Sequence, residues 1–193
     1  MIIDHLKRQV KFKVVYHGPA LSGKTTNLVQ IAKKRGEDIL SFNTKDERTL
    51  VFDMFKETRK VGDFTASFIL YTVPGQHIYS DIRKMVMRGV DGVVFVVDSS
   101  EEKLKENLEF VEILAEDLSI YGKNVEDTPL VIQYNKRDLG NALPVDVLEK
   151  EINKFGKPSV EAIAIKGEGV EETLNAIVEE ILKHFGSLIN DKR

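Results

Sequence analysis

One glycine-rich loop carries the clearest chemistry in this sequence. Residues 18–25 read Gly-Pro-Ala-Leu-Ser-Gly-Lys-Thr and fit the pattern G-x-x-x-x-G-K-[ST]. In such a loop, successive backbone N–H groups surround phosphate oxygens and the lysine adds a positive charge. A strand-like stretch at 12–16 precedes the loop, and a helical pattern at 26–34 follows it. Because a helix N-terminus presents free N–H groups to an anion, this order predicts a phosphate-binding site.

A second polar segment, Asn135-Lys136-Arg137-Asp138, indicates which base accompanies the phosphates. It follows the apolar stretch 130–134, at the kind of strand end where open α/β sheets bind ligands. An ionised aspartate accepts two parallel N–H bonds, and guanine offers such a pair from N1 and its 2-amino group. Adenine offers no such pair and would leave the carboxylate unmatched. Asp138 therefore predicts a preference for guanine over adenine.

Strand and helix patterns alternate along the whole chain, which is typical of a mostly parallel sheet covered on both faces. The segment 92–98 is almost continuously apolar, as expected of a central strand that is buried on both sides. Further strands are predicted at 64–71, 130–134 and 162–165, and helices at 82–88, 101–119, from near Pro144 and at 170–185. We expect one α/β domain over 1–193, with a short flexible tail at about 187–193.

Composition excludes several classes of function. The chain has 193 residues, and 28 basic against 31 acidic side chains give a net charge of −3, which offers no argument for nucleic-acid binding. It has no cysteine, so disulfides, thiolate metal sites, prenylation and palmitoylation are excluded. The longest apolar run, 93–97, is far shorter than a bilayer span. We expect a cytoplasmic protein without a lipid anchor or membrane span.

Three motifs in a fixed order give the chain a resemblance to small Ras-like GTPases. They are the loop at 18–25, the segment Thr72-Val73-Pro74-Gly75-Gln76, and Asn135 to Asp138. More narrowly, the chain is similar to the bacterial MglA family of gliding-motility and polarity GTPases. That likeness extends from near Lys11 to near Leu182 and rests on four segments: 16–19, 48–53, 71–76 and 133–139.

The resemblance implies a P-loop NTPase of Ras-like architecture, with three α/β/α layers and a mostly parallel six-stranded sheet. It also implies that the chain binds GTP and GDP with Mg²⁺ and hydrolyses GTP slowly without an activating partner. Lys24 would reach the β- and γ-phosphates, and Gln76 would orient the attacking water. Arg48 would act in cis on the transferred phosphoryl group once a partner reshapes the switch. Thr25 and Thr49 would hold Mg²⁺.

Finer roles follow from the same likeness. Gly75 would offer its N–H to the γ-phosphate, and Ala164 would aim its N–H at the guanine O6. Lys136 would lie along the nucleotide and the phosphate loop, while Asn135 would tie that loop to the base-binding turn. The complete set of expected nucleotide-binding residues is Gly18, Leu21, Ser22, Gly23, Lys24, Thr25, Thr26, Thr49, Gly75, Asn135, Lys136, Asp138, Ala164 and Ile165.

The implied partners are a homodimeric roadblock-fold (MglB-like) activating protein and effector proteins of cell polarity or motility. The chain alone is expected to be monomeric. One departure from the Ras-like pattern is Thr72, which stands where most members have Asp and would contribute less to cation affinity. Two other functions stay open. One is a P-loop kinase or ATPase, which Asn135 to Asp138 disfavour, and the other is a nucleotide-binding scaffold with negligible hydrolysis, which Thr72 allows.

Overall fold

A twisted sheet separates two layers of helices in this protein. The computed structural model describes residues 1–4, 8–43, 50–61 and 64–190. The strands are β1 (Ile2–Asp4), β2 (Gln9–His17), β3 (Leu40–Asn43), β4 (Leu50–Val61), β5 (Phe64–Thr72), β6 (Gly92–Asp98), β7 (Leu130–Asn135) and β8 (Ser159–Glu161). The helices are α1 (Lys24–Arg35), α2 (Ser80–Met87), α3 (Leu104–Ser119), α4 (Val145–Ile152) and α5 (Val170–Asn190), with 3₁₀ turns at His77–Tyr79, Glu101–Lys103 and Ala164–Lys166.

The strand order is β3-β4-β5-β2-β6-β7-β8, with β1 paired to the start of β2. The five strands from β5 to β8 run parallel, whereas β4 is antiparallel to β5, β3 to β4 and β1 to β2. Within the described residues the sheet therefore has eight strands rather than the predicted six. Two of the strands, β1 and β3, have only three and four residues, too few for a period of two to be recognised.

The central strand β6 is buried along its full length, as its apolar sequence predicts. Its side chains alternate between two apolar layers. Val94 and Val96 pack in the layer of α1 and α5, while Phe95 packs in the layer that includes α3 residues such as Phe110. This arrangement fixes the carboxyl ends of β2, β6 and β7 side by side, and those ends carry the two polar motifs.

Two boundaries differ from the sequence-based expectation. The strand predicted at 162–165 is absent: the last strand is β8, and Ala164–Lys166 is a 3₁₀ turn. The segment is apolar because Ala162 and Ala164 are buried, not because they lie in a strand. Helix α5 continues to Asn190, so the first four residues of the expected tail are helical. Among the described helices, none is long and apolar enough to cross a membrane.

Candidate functional site

The glycine-rich loop connects β2 to α1 and crosses the carboxyl edge of the sheet. Gly18 and Gly23 have φ values of 135° and 107°, which L side chains rarely adopt. A Cβ at Gly18 would collide with the carbonyl oxygen of Val96, and one at Gly23 with the side-chain amide of Asn135. Both glycines are therefore required by the backbone conformation and by the lack of space around them.

Lys24 begins α1 and folds back over this loop. Its side chain is 7% exposed, and Nζ donates to the carbonyl oxygens of Gly18 at 2.9 Å and Pro19 at 2.5 Å. Burial lowers the pKa of the Lys24 ammonium to about 7; the charge of Glu106 opposes this shift and that of Arg83 adds to it. The ammonium thus lies at the phosphate loop, in an environment that favours an added negative charge.

Asn135, the last residue of β7, joins the phosphate loop to the turn at 164–166. Its Nδ2 donates to the carbonyl oxygen of Ser22 at 2.7 Å, and its Oδ1 accepts the Ala164 N–H at 2.8 Å. The expected tie between loop and turn is therefore present. The Ala164 N–H, which is expected to reach the guanine O6, donates to Asn135 in this structure.

A cavity of about 280 Å³ opens beside this bridge. Asp138 lies at the cavity, and its Oδ2 is 3.7 Å from Lys166 Nζ. A carboxylate at the wall of a cavity that also adjoins the phosphate loop can select a base while the loop holds its phosphates. The lining residues are Leu21, Gly23, Thr26, Asn135, Lys136, Asp138, Leu139, Ile163, Ala164 and Ile165, and eight of these ten are among the expected nucleotide-binding residues.

Lys136 forms an ion pair that its sequence motif does not predict. Its backbone is left-handed, with φ 64°, and its Nζ donates to Asp98 Oδ2 at 2.5 Å. Asp98 ends β6 and is 2% exposed, and its other oxygen accepts the N–H and Oγ–H of Ser100 at 3.1 and 2.8 Å. A carboxylate at the end of an apolar strand is the signal that could have pointed to this pair.

Gly75 and Gln76 approach the phosphate loop from the end of β5. Gly75 is buried, and a Cβ at this position would collide with the backbone of Pro19 and Ala20. The absence of a side chain thus lets the segment pack directly on the loop. Gln76 is exposed next to it, and its carbonyl oxygen accepts the Tyr79 N–H at 3.2 Å. The two remaining expected switch residues, Arg48 and Thr49, lie outside the described residues.

Two threonines near the loop carry hydroxyl oxygens, which are of the ligand type that Mg²⁺ accepts. Thr25 follows Lys24 at the start of α1, and Thr72, which is 4% exposed, lies beside Tyr16 at the end of β5. Among the described residues there is no group of three His, Cys, Asp or Glu side chains that could hold a metal by itself. Mg²⁺ prefers oxygen ligands and is usually bound through one or two protein groups, waters and substrate phosphates.

A buried amide network that no sequence motif predicts connects the phosphate loop to β7. Gln133 on β7 and Asn27 on α1 exchange two hydrogen bonds, of 2.7 and 2.8 Å. Asn27 Nδ2 also donates to the carbonyl oxygen of Gly23 at 3.0 Å, and Gln133 Nε2 to Thr173 Oγ1 at 2.8 Å. The signal that could have found it is a glutamine within the apolar stretch 130–134.

A second missed cluster lies between the loop and α2. Asp117 on α3 accepts from Arg83 Nε at 2.6 Å, and its Oδ2 is 3.3 Å from His17 Nε2. All three side chains are at most 4% exposed. Burial lowers the pKa of His17, although the hydrogen bond to Asp117 opposes this shift. No motif in the sequence predicts that His17, Arg83 and Asp117 come together, and their burial indicates a structural role for the cluster.

Comparison with known proteins finds a family model and relatives that match almost the whole chain. The Ras family model matches residues 13–183. Mutual gliding-motility protein MglA of Myxococcus xanthus (strain DK1622) is 42% identical over 185 residues, which cover 93% of this chain and 95% of that protein. Human ADP-ribosylation factor-like protein 4C is 31% identical over 193 residues, covering 93% and 92% of the two chains.

These matches extend over almost the whole chain, and they include the loop, the Gly75–Gln76 segment and the Asn135–Asp138 motif that the structure gathers at one edge of the sheet. The chain is therefore a Ras-like small GTPase of the MglA family.

Proposed function

We propose that this protein is a molecular switch that binds GTP or GDP together with Mg²⁺ and times its active state by hydrolysing GTP. The observation that carries this proposal is the double hydrogen bond of Asn135, at 2.7 Å to the phosphate loop and 2.8 Å to the turn beside the base cavity. This bridge makes one continuous site from the loop and the cavity. A ligand with a phosphate chain at one end and a purine at the other spans both.

Asp138 selects the base in this proposal. Its carboxylate accepts hydrogen bonds from N1–H and the 2-amino group of guanine, which no other common base presents together. An adenine in the same position leaves the carboxylate without donors, and an unmatched charged group costs far more than a lost neutral contact.

Hydrolysis depends on groups that already surround the loop. Lys24 stabilises the negative charge of the β- and γ-phosphates, and Gly75, which packs on Pro19 and Ala20, brings Gln76 to the water that attacks. Gln76 is not a strong base, so it acts by orienting that water. Thr25 and Thr49 would hold Mg²⁺, which neutralises phosphate charge when it is bound.

The biological role is proposed from the relative. The Myxococcus xanthus protein is named for mutual gliding motility, and we propose that this chain likewise acts in cell polarity or motility. It is a monomer in the cytoplasm and signals to effector proteins in its GTP form. A homodimeric roadblock-domain protein accelerates hydrolysis by moving Arg48 of this chain toward the transferred phosphoryl group.

Calorimetry on nucleotide-free protein tests base selection. GDP is expected to bind at least 100-fold more tightly than ADP, since a site that hydrogen-bonds its ligand rejects analogues by large factors. Asp138→Asn should weaken GDP and favour xanthosine diphosphate, whose C2 carbonyl accepts from the new amide. Asp146→Asn, which makes the same charge change on the exposed first turn of α4, is the matched control. Equal binding of ADP and GDP would contradict the proposal.

Single-turnover phosphate release tests hydrolysis. We expect a slow rate for the chain alone and stimulation of about 10³-fold or more by a roadblock-domain partner. Gln76→Ala should slow both rates, and Arg48→Ala should remove only the stimulation. Full stimulation of Arg48→Ala would disprove the cis arginine. GTP binding without measurable hydrolysis under either condition would instead identify a nucleotide-binding scaffold.

A further inference from the structure

Leu21, at the tip of the phosphate loop, is energetically unfavourable in two respects. Its φ is 61°, and the described residues contain just two other non-glycine residues with positive φ, Arg8 and Lys136. An L side chain in this conformation is strained, whereas glycine adopts it freely. In addition, Leu21 is 84% exposed, more than any other large hydrophobic residue among the described residues. A strained and solvent-exposed leucine is unfavourable unless a contact outside the chain compensates for it.

The position of Leu21 indicates what that contact is. It lines the same cavity as Asp138, together with Leu139 and Ile165, which are 41% and 74% exposed. Three exposed aliphatic side chains thus border one cavity, and no aromatic side chain is among its described lining residues. A planar ring in this cavity would contact the aliphatic surface of these three side chains.

We infer that the Leu21 side chain packs on the purine ring of the bound nucleotide, with Ile165 bordering the same ring, and that this contact contributes to affinity for every purine. The inference rests on the proposed function, since it places a nucleotide in the cavity. It also gives the two residues different roles. Asp138 distinguishes guanine from other bases by hydrogen bonds, whereas Leu21 contacts the face of the ring irrespective of its substituents. Nucleotide burial removes apolar Leu21 surface from water, which offsets the backbone strain.

The variant Leu21→Gly distinguishes a role in purine binding from a role in stabilising the fold. Loss of the first role would lower GDP affinity, whereas loss of the second would lower protein stability. Glycine relieves the strain, so nucleotide-free Leu21→Gly should unfold at the same urea concentration as the parent protein or at a higher one. Loss of the ring contact should at the same time weaken GDP about 10-fold, as expected for the lost burial of one aliphatic side chain. Leu21→Asn, which also tolerates a left-handed backbone, should behave in the same way.

Two further variants test a second ring contact and provide a control. Ile165→Ala, which involves no strained backbone, should also weaken GDP. Ile120→Ala removes an exposed aliphatic side chain at the end of α3, away from the cavity, and should leave GDP affinity unchanged. The ligands are GDP, inosine diphosphate, which lacks the 2-amino group, and pyrophosphate, which lacks the ring. Leu21→Gly should weaken GDP and inosine diphosphate by the same factor and leave pyrophosphate unaffected.

Two results would overturn the inference. One is an unchanged GDP affinity in Leu21→Gly while the parent protein binds GDP tightly. The other is an equal loss of affinity for pyrophosphate, which would assign the effect to the loop backbone. The proposed function fails in a different way, by a parent protein that does not prefer GDP to ADP. The two failures are therefore distinguishable in one series of titrations.

Discussion

The side-chain amides of Asn27 and Gln133 face each other in the interior and exchange two hydrogen bonds, of 2.7 and 2.8 Å. Both residues are fully buried. Since Asn27 also donates to Gly23 in the phosphate loop, and Gln133 to Thr173 on α5, the pair connects the loop to the sheet and to the closing helix. The phosphate loop is thus positioned by buried side chains that do not line the cavity.

Breaking this pair should destabilise the protein. Gln133→Leu leaves the buried Oδ1 of Asn27 without a donor, which is expected to lower the free energy of unfolding by about 1–3 kcal/mol. In the double variant Asn27→Leu/Gln133→Leu neither amide remains to be satisfied, so its loss should be smaller than the sum of the single losses. Urea unfolding at a fixed GDP concentration measures all three.

The control for this prediction is Gln30→Leu. Gln30 is on the same helix as Asn27, but its hydrogen bond to the carbonyl oxygen of Ile165 is exposed to solvent. Its loss should change stability by no more than about 0.5 kcal/mol. Additive losses in the double variant would show that the two buried amides are not coupled.

Lys24 predicts a proton linked to nucleotide binding. Burial holds the pKa of its ammonium at about 7 in the nucleotide-free protein, so above that pH the group is mostly neutral. A bound phosphate favours the charged form and raises this pKa. GDP binding should therefore take up close to one proton at about pH 8.5, and GDP affinity should fall as the pH rises above about 7.

Calorimetry of GDP binding in buffers with different ionisation enthalpies measures this uptake. A terminal phosphate has its second pKa at about 6, so the β-phosphate of GDP is already ionised at about pH 8.5 and does not contribute there. No uptake at this pH would mean that Lys24 stays protonated in the nucleotide-free protein despite its burial.

Asp98 is predicted to act on the nucleotide through Lys136. The ion pair of 2.5 Å holds the ammonium, so the aliphatic part of Lys136 stays at the wall of the base cavity. Asp98→Asn weakens this hold and should accelerate GDP dissociation about 10-fold, since a charge-assisted bond is replaced by a weaker neutral one. Glu102→Gln, which removes a carboxylate from the exposed 3₁₀ turn nearby in sequence, should not alter the rate. Dissociation is measured by chase with excess unlabelled GDP, and an unchanged rate in Asp98→Asn would contradict the coupling.

The sequence predicts the local parts of this site better than its internal contacts. Residues 18–25 and 135–138 are recognisable because each motif is short and follows an apolar strand, and parallel strands bring their carboxyl ends to one edge. Asn27 and Gln133 are 106 positions apart, so their pairing depends on tertiary structure. The turn at Ala164 was predicted as a strand, because a short apolar segment can belong to a turn with buried Ala162 and Ala164 as well as to a strand.

The buried histidine predicts how stability depends on acidity. His17 is 0% exposed, and burial, which outweighs its hydrogen bond to Asp117, lowers its pKa below the ordinary value of 6.5. As the pH falls below about 6.5, the unfolded chain binds a proton at His17 before the folded protein does, so the free energy of unfolding should decrease. His17→Gln cannot titrate and should show a smaller loss between about pH 7.5 and 5.5, whereas His184→Gln, on the exposed side of α5, should retain the full loss. Urea unfolding across this range tests the prediction, and identical pH profiles for His17→Gln and the parent protein would show that another group is responsible.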